Sequence, residues 1–172
     1  MMLSVADQAD VAPGIEAVLG EHGSMLSRIA ASYESNPSRR EDLLQEISVA
    51  LWRALPRWRG EASLRTFVAR VAHNRAVSHV VRQARIGEVA IDEQHPDDGR
   101  GPERHAERGQ HRERLVAAVR RLPLGQRQVV VLALEGFAQR EIGEALGLQE
   151  NTVAQRLSRA RQQLREWLGV DA

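Results

Sequence analysis

The chain has 172 residues, no cysteine, and 24 basic against 23 acidic side chains. That length allows one ordinary domain or two small ones. The lack of cysteine excludes disulfides, thiolate nucleophiles and Cys-based zinc sites. No apolar run nears the roughly 18 residues of a spanning helix. Asp7, Asp10 and Glu16 stand where a basic leader would begin, so no secretory leader or membrane insertion is expected and the cytoplasm is the expected location.

Residues 1–14 are weakly patterned and end in Pro13–Gly14, which reads as a frayed or short helical arm. Ile15, Val18, Leu19, Leu26, Ile29 and Ala30 recur at helical spacing and predict a helix over 15–33. Ser35–Asn36–Pro37–Ser38 is a turn. Ser38, with Glu41 three residues on, has capping-box spacing for a helix over 39–55. Leu43, Ile47, Ala50, Leu51 and Ala54 form its apolar stripe, and Pro56 ends it. Trp58–Ala62 is a loop around Gly60. Ser63 suits the cap of a third helix over 64–83, with Leu64, Phe67, Val68, Val71, Ala72 and Val77 facing inward. Trp52 is read as a core side chain.

Residues 86–110 carry Gly87, Pro96, Gly99, Gly101, Pro102 and Gly109 with almost no apolar periodicity, and read as a linker. A second helical set begins near 111. Leu115, Ala118, Val119 and Leu122 mark one helix stopped at Pro123, and 126–134 a second. Ala138–Leu146 is a short third, Gly147–Gln149 a tight turn, and 150–168 a last helix with Val153, Leu157, Ala160, Leu164 and Leu168 inward. The expected fold is all-α: two small helical domains, 15–85 and 111–170, joined by a flexible acidic linker.

Charge follows the same division. Arg53, Arg57, Arg59, Arg65, Arg70, Arg75, Arg82 and Arg85 face a single acid, Glu61, over residues 50–85. Residues 87–113 hold eight acids against four arginines, and 151–165 four arginines and no acid. Two basic segments on an acidic tether suit two polyanion-facing surfaces, or a solvated exterior. Every basic residue is arginine, whose planar fork matches phosphate; genome composition gives the same bias.

Residues 138–160 carry the spacing of a helix–turn–helix, with Gly143 at a close crossing, Gly147 in the turn and Val153 inward. An ordinary helical hairpin shares that spacing. As a DNA reader, its second helix presents Glu150, Asn151, Thr152, Ala154 and Gln155 near base edges and Arg156 and Arg159 near phosphates. Arg65, Arg70, Asn74 and Arg75 beside Trp58 suit unpaired DNA, with phosphates on the cations and a base against an aromatic wall. His73 and His79 are six apart and lie on different faces of a helix, unlike a ligand pair. No nucleophile–base set, phosphate loop, metal site or cofactor motif is present in the sequence, so no enzyme is expected.

The run from Glu41–Asp42–Leu43–Leu44–Gln45–Glu46 through Trp58–Arg59–Gly60–Glu61 to Asn74–Arg75–Ala76 resembles region 2 of extracytoplasmic-function sigma factors, a group of the sigma-70 family. Leu122–Leu132 with Glu135–Arg161 resembles their region 4. Together the two cover most of 22–168. The resemblance implies that Asp42, Leu43, Gln45 and Glu46 bind a coiled coil of bacterial core RNA polymerase. It implies that the loop Trp58, Arg59, Gly60 to Ser63 holds a base flipped from the promoter −10 element, with Arg65, Arg70, Asn74 and Arg75 along that element. It further implies that Glu150, Asn151, Thr152, Gln155, Arg156 and Arg159 face the −35 duplex, that the linker threads toward the RNA exit path, and that an anti-sigma protein holds the factor inactive.

Ser48 and Phe67 stand where many members have Phe and Trp, which implies a repacked first domain. Gln149 is a poor helix cap, and Asn151 stands where glycine is common, which alters base preference. A regulator that binds duplex without directing initiation, and a protein–protein module, are the competing readings. The linker permits splayed or packed domains, and a packed arrangement can cover both DNA surfaces.

Overall fold

The computed structural model describes residues 12–87 and 103–169. Residues 1–11 of the expected 1–14 arm and the middle of the expected linker lie outside the described residues. Within them the chain is all-helical, in two modules. The first contains α1 (Ile15–Tyr33), α2 (Pro37–Ala54), a 3-10 turn at Leu55–Arg57, and α3 (Leu64–Ile86). The second contains α4 (Glu103–Arg121), α5 (Leu124–Leu134), α6 (Gln139–Leu146) and α7 (Glu150–Leu168).

The first three helices pack pairwise around Val18, Leu26, Ile29, Leu43, Ile47, Leu51, Val68, Ala69 and Ala72, all buried. Leu43, Ile47 and Leu51 are wholly buried, each contributing about 1.5–3 kcal/mol. The second helix starts two residues earlier than its sequence suggests. Asn36, not Ser38, is the cap, and its Oδ1 accepts from the Arg39 N–H at 3.1 Å. Pro37 explains the shift, because proline fits the first helical position, where the missing N–H is not needed. Ser63 caps α3 as expected, accepting from the Thr66 N–H at 3.1 Å.

Two placements correct the sequence reading. Trp52 is 61% exposed, not a core side chain. It sits on the outward face of α2, opposite the Leu43–Ile47–Leu51 stripe, and neighbouring helices cover only the inward face. Helix α4 begins at Glu103, inside the stretch read as linker. The run after Pro102 is rich in Glu, Arg, Ala and Gln, which sustain a helix despite Gly109. Its charge hid that propensity behind the missing apolar pattern.

Polar residues pin the first bundle. Glu34, at the end of α1, is buried. It accepts from the Asn36 N–H at 2.8 Å, from Arg39 at 3.2 Å, and from His79 Nε2 at 2.8 Å. Burial pushes the Glu34 carboxyl upward, but these three donors outweigh it and the net shift is downward. His73 is fully buried, with its Nδ1 at 2.9 Å from the Tyr33 hydroxyl and its ring edge-on to the Tyr33 ring. Burial lowers its pKa to about 4.

The lowered His73 pKa makes the native state the poorer proton binder between its ordinary 6.5 and about 4. Stability therefore falls with acidification across that window. Glu34 adds a further loss below its ordinary 4.5. Denaturant unfolding at stepped pH should show a smaller loss in His73→Asn than in the parent, by on the order of 3 kcal/mol between the two ends of the His73 window. Parallel profiles would mean that His73 binds its proton alike in the native and unfolded states, with no lowering by burial.

Candidate nucleic-acid interface

Helix α2 presents Asp42, Gln45, Val49 and Trp52 at spacings of three, four and three, on one exposed face. Leu43, expected among the docking residues, is fully buried and offers a partner no surface. It holds α2 to the core instead. Glu46 is half-buried and bonds Arg82 of α3 at 2.9 Å. Val49 (46% exposed) and Trp52 belong to this surface and were missed in the sequence. Continuing the Asp42–Gln45 spacing along the helix would have found both.

The loop after the 3-10 turn is tied to itself. Trp58 Nε1 donates to the Ala62 carbonyl at 3.0 Å, Arg59 donates to the Pro56 carbonyl at 3.0 Å, and Gly60 takes a left-handed φ of 75°. A cleft of about 210 Å³ opens beside it, lined by Arg57, Trp58, Arg59, Glu61, Ala62, Phe67 and Arg70, with Glu144 of the second module as one wall. The lining offers an aromatic wall and cations, the chemistry that holds an unstacked base. Ser63 spends its hydroxyl on the α3 cap and on Thr66 Oγ1 at 2.9 Å. Asn74 is exposed and Arg75 partly so.

Arg65 and Arg70 are not free. The Arg65 guanidinium lies 3.9 Å from the Phe137 ring centroid and donates to the Glu135 carbonyl. Arg70 donates to the Glu144 carbonyl at 2.8 Å.

In the second module, α6 and α7 form the helix–turn–helix. Glu141 accepts from the Ala138 N–H at 2.7 Å, one half of a capping box whose other half Ala138 cannot supply. Gly147, at φ 67°, ends α6. Gln149 stands at the N-cap of α7 with no side-chain bond to the helix. Gly143 is required by the turn, not by a helix crossing: a Cβ there would lie 2.6 Å from the Leu148 carbonyl. Glu150, Asn151, Gln155 and Arg159 are exposed, and Thr152 and Arg156 partly so. Arg156 leans back on α5, with its Nη1 3.1 Å from where a Gly125 methyl would be. Among the described residues no group of three His, Asp or Glu is placed to hold a metal ion, and no helix is long and apolar enough to cross a membrane.

A helical bundle carrying an arginine-lined cleft, followed by a helix–turn–helix with an exposed second helix, is the build of a two-module DNA-binding protein. Residues 18–86 match Sigma-70 region 2 and residues 112–164 match Sigma-70 region 4. The chain is 30% identical over 169 residues to the ECF RNA polymerase sigma factor SigE of Mycolicibacterium smegmatis, covering 96% of this chain and 65% of that one. It is 28% identical to the RNA polymerase sigma factor CnrH of Cupriavidus metallidurans, covering 95% and 93%. The structure of CnrH in complex with the cytosolic domain of CnrY superposes with a TM-score of 0.66 at 25% identity, over 92% of this chain and 89% of that one. The sigma factor RpoE of Bartonella quintana, solved with the anti-sigma factor NepR, shares the fold at a TM-score of 0.72 and 22% identity, over 91% and 98%. This chain belongs to the extracytoplasmic-function group of the sigma-70 family. That family is not one of enzymes.

The close approach at Gly143 makes a direct test of the turn. Gly143→Ala must push the Leu148 carbonyl aside and should cost about 1–3 kcal/mol in denaturant unfolding. Duplex DNA binding should fall with it. An alanine variant of parental stability would show that the turn yields without cost.

Proposed function

We propose that this chain binds bacterial core RNA polymerase and directs promoter-specific initiation. The observation that carries the reading is the presence in one chain, in this order, of a region 2 bundle whose outward α2 stripe is covered by none of the described helices and a region 4 helix–turn–helix with its second helix exposed. The α2 stripe of Asp42, Gln45, Val49 and Trp52, flanked by Glu46, is the polymerase-docking face. Its apolar pair supplies buried area and its polar residues set register. The cleft beside Trp58 receives a base from the −10 element. Arg59, Arg65, Arg70, Asn74 and Arg75 take the adjoining backbone. Unstacking costs a few kcal/mol per step, which stacking in the cleft and phosphate contacts recover.

On the −35 duplex, Glu150, Asn151, Thr152 and Gln155 at the start of α7 face base edges. Arg159, and Arg156 once it lifts from α5, take phosphates. The protein works in the cytoplasm with the polymerase, needs no cofactor, and has an anti-sigma partner of the kind that accompanies RpoE in its solved complex.

The test is transcription with purified core polymerase on fragmented genomic DNA from the source organism, with sequencing of the RNA 5′ ends. Start sites sharing common −10 and −35 elements are expected. Asp42→Arg with Trp52→Ala should abolish both core binding and specific starts while leaving duplex binding intact. Arg159→Ala should weaken all duplexes alike and reduce the salt slope by about one counterion. A folded protein that binds duplex but yields no shared starts and no core complex would instead be a regulator that does not initiate.

A further inference from the structure

The two modules do not sit apart. Among the described residues four arginines donate hydrogen bonds between them, each to a specific acceptor. Arg28 of α1 makes a two-pronged pair with the Glu135 carboxylate, Nε to Oε1 and Nη2 to Oε2, both at 2.8 Å. Arg65 and Arg70 of α3 reach the carbonyls of Glu135 and Glu144. Arg120 of α4 returns the contact, donating to the Ala31 carbonyl at 2.8 Å. The Glu135 side chain is 8% exposed, and buried apolar residues of both modules form one connected cluster.

Two of these arginines are the ones assigned above to the −10 strand. A guanidinium bonded to a carbonyl has those N–H groups unavailable to a phosphate, and Glu144 of the second module forms one wall of the base cleft. The first residues of α7 are treated differently. Glu150, Asn151 and Gln155 stay exposed in this same arrangement. Packing in this arrangement therefore leaves the second surface uncovered.

We propose that the free chain is closed on itself with one DNA site shut and the other open. The second module occupies the −10 arginines through Glu135 and Glu144, while the −35 helix remains able to read duplex. Strand capture then requires the Arg28–Glu135 pair to part. The identity of the shut site rests on the initiation reading, but the closure does not.

The chain's lack of cysteine makes the test direct. Spin labels at Glu21→Cys and Gln162→Cys report the distance between modules by pulsed double electron resonance. The parent should show one short distance. Arg28→Glu should move the population to longer distances, and Arg28→Glu with Glu135→Arg should restore the short one.

Arg28→Glu should also tighten binding of a fluorescein-labelled mixed-sequence single strand of about 12 nucleotides, by about tenfold, with little change on the matching duplex. That direction is diagnostic, because adding negative charge without opening weakens DNA binding. Helix content by circular dichroism checks folding, and Glu135→Gln carries the same prediction if the reversal does not fold. A long distance in the parent, or a short one unmoved by either substitution, overturns the proposal, as does weaker single-strand binding. The distance measurement needs neither polymerase nor promoter. A chain that opens as described but starts no transcripts would leave the closure standing and remove the function.

Discussion

The carboxylate and the carbonyl of Glu135 both leave their own module and enter the other. The carboxylate meets Arg28 on α1 and the carbonyl meets Arg65 on α3. The backbone can do this because α5 ends here in a tight reversal. Gly136 takes φ 81°, its N–H bonds the Ala133 carbonyl at 3.0 Å, and the Phe137 N–H bonds the Leu132 carbonyl at 3.1 Å. That reversal also aims Phe137 under the Arg65 guanidinium. One helix end thus sets the pairing, the stacking and the angle between the modules. A carboxylate this dry costs several kcal/mol unless paired. Arg28 supplies the pair but stays 46% exposed in its side chain, so the net contribution is modest. A junction of that size holds a default state and yields to a stronger partner.

What makes the partner stronger is the acceptor. Arg65 and Arg70 rest on neutral carbonyl oxygens, whereas a nucleic acid offers ionised phosphate. The guanidinium is charged in both cases, but phosphate sets a full negative charge opposite it where a carbonyl offers only a dipole. Phosphate binding also releases condensed counterions, which a carbonyl cannot do. The exchange of carbonyl for phosphate therefore runs toward DNA once the modules separate. Separation itself costs the Glu135 pair and the shared apolar contact. The closed arrangement sets a threshold and does not forfeit the chemistry of the open one.

Much of this was legible in the sequence. The apolar stripes of α1, α2, α3 and α7 marked those helices to within a few residues, because each carries buried Leu, Ile, Val or Ala at helical spacing. Glycine and proline marked most of the ends. Trp52 was misplaced because hydrophobicity says nothing about the side of a helix unless its phase is followed, and that phase puts it beside Asp42 and Gln45. The polar hub of Glu34, His79 and Arg39 has no periodic signature at all. It joins Glu34 to His79, 45 residues away, through a buried contact. The pairing of Arg28 with Glu135 is likewise invisible, since 107 residues separate them and either alone looks like an ordinary surface charge.

The exclusive use of arginine, ambiguous as composition, becomes meaningful in three dimensions. Six aromatic side chains are present, and three of them carry a guanidinium: Phe137 under Arg65, Trp167 under Arg121 at 4.4 Å, and Tyr33 facing Arg127 at 5.7 Å. A planar guanidinium can stack on a ring while its edge donates in the plane, as Arg65 does to Glu135. Lysine is a point charge and cannot do both from one position. The same property serves unpaired DNA, where a base is the ring and a phosphate the acceptor. Arg65 lying over Phe137 and bonded to a carbonyl is therefore a protein-made imitation of the contact proposed for a −10 strand. The second module closes the first by offering it the same geometry with the charge left out.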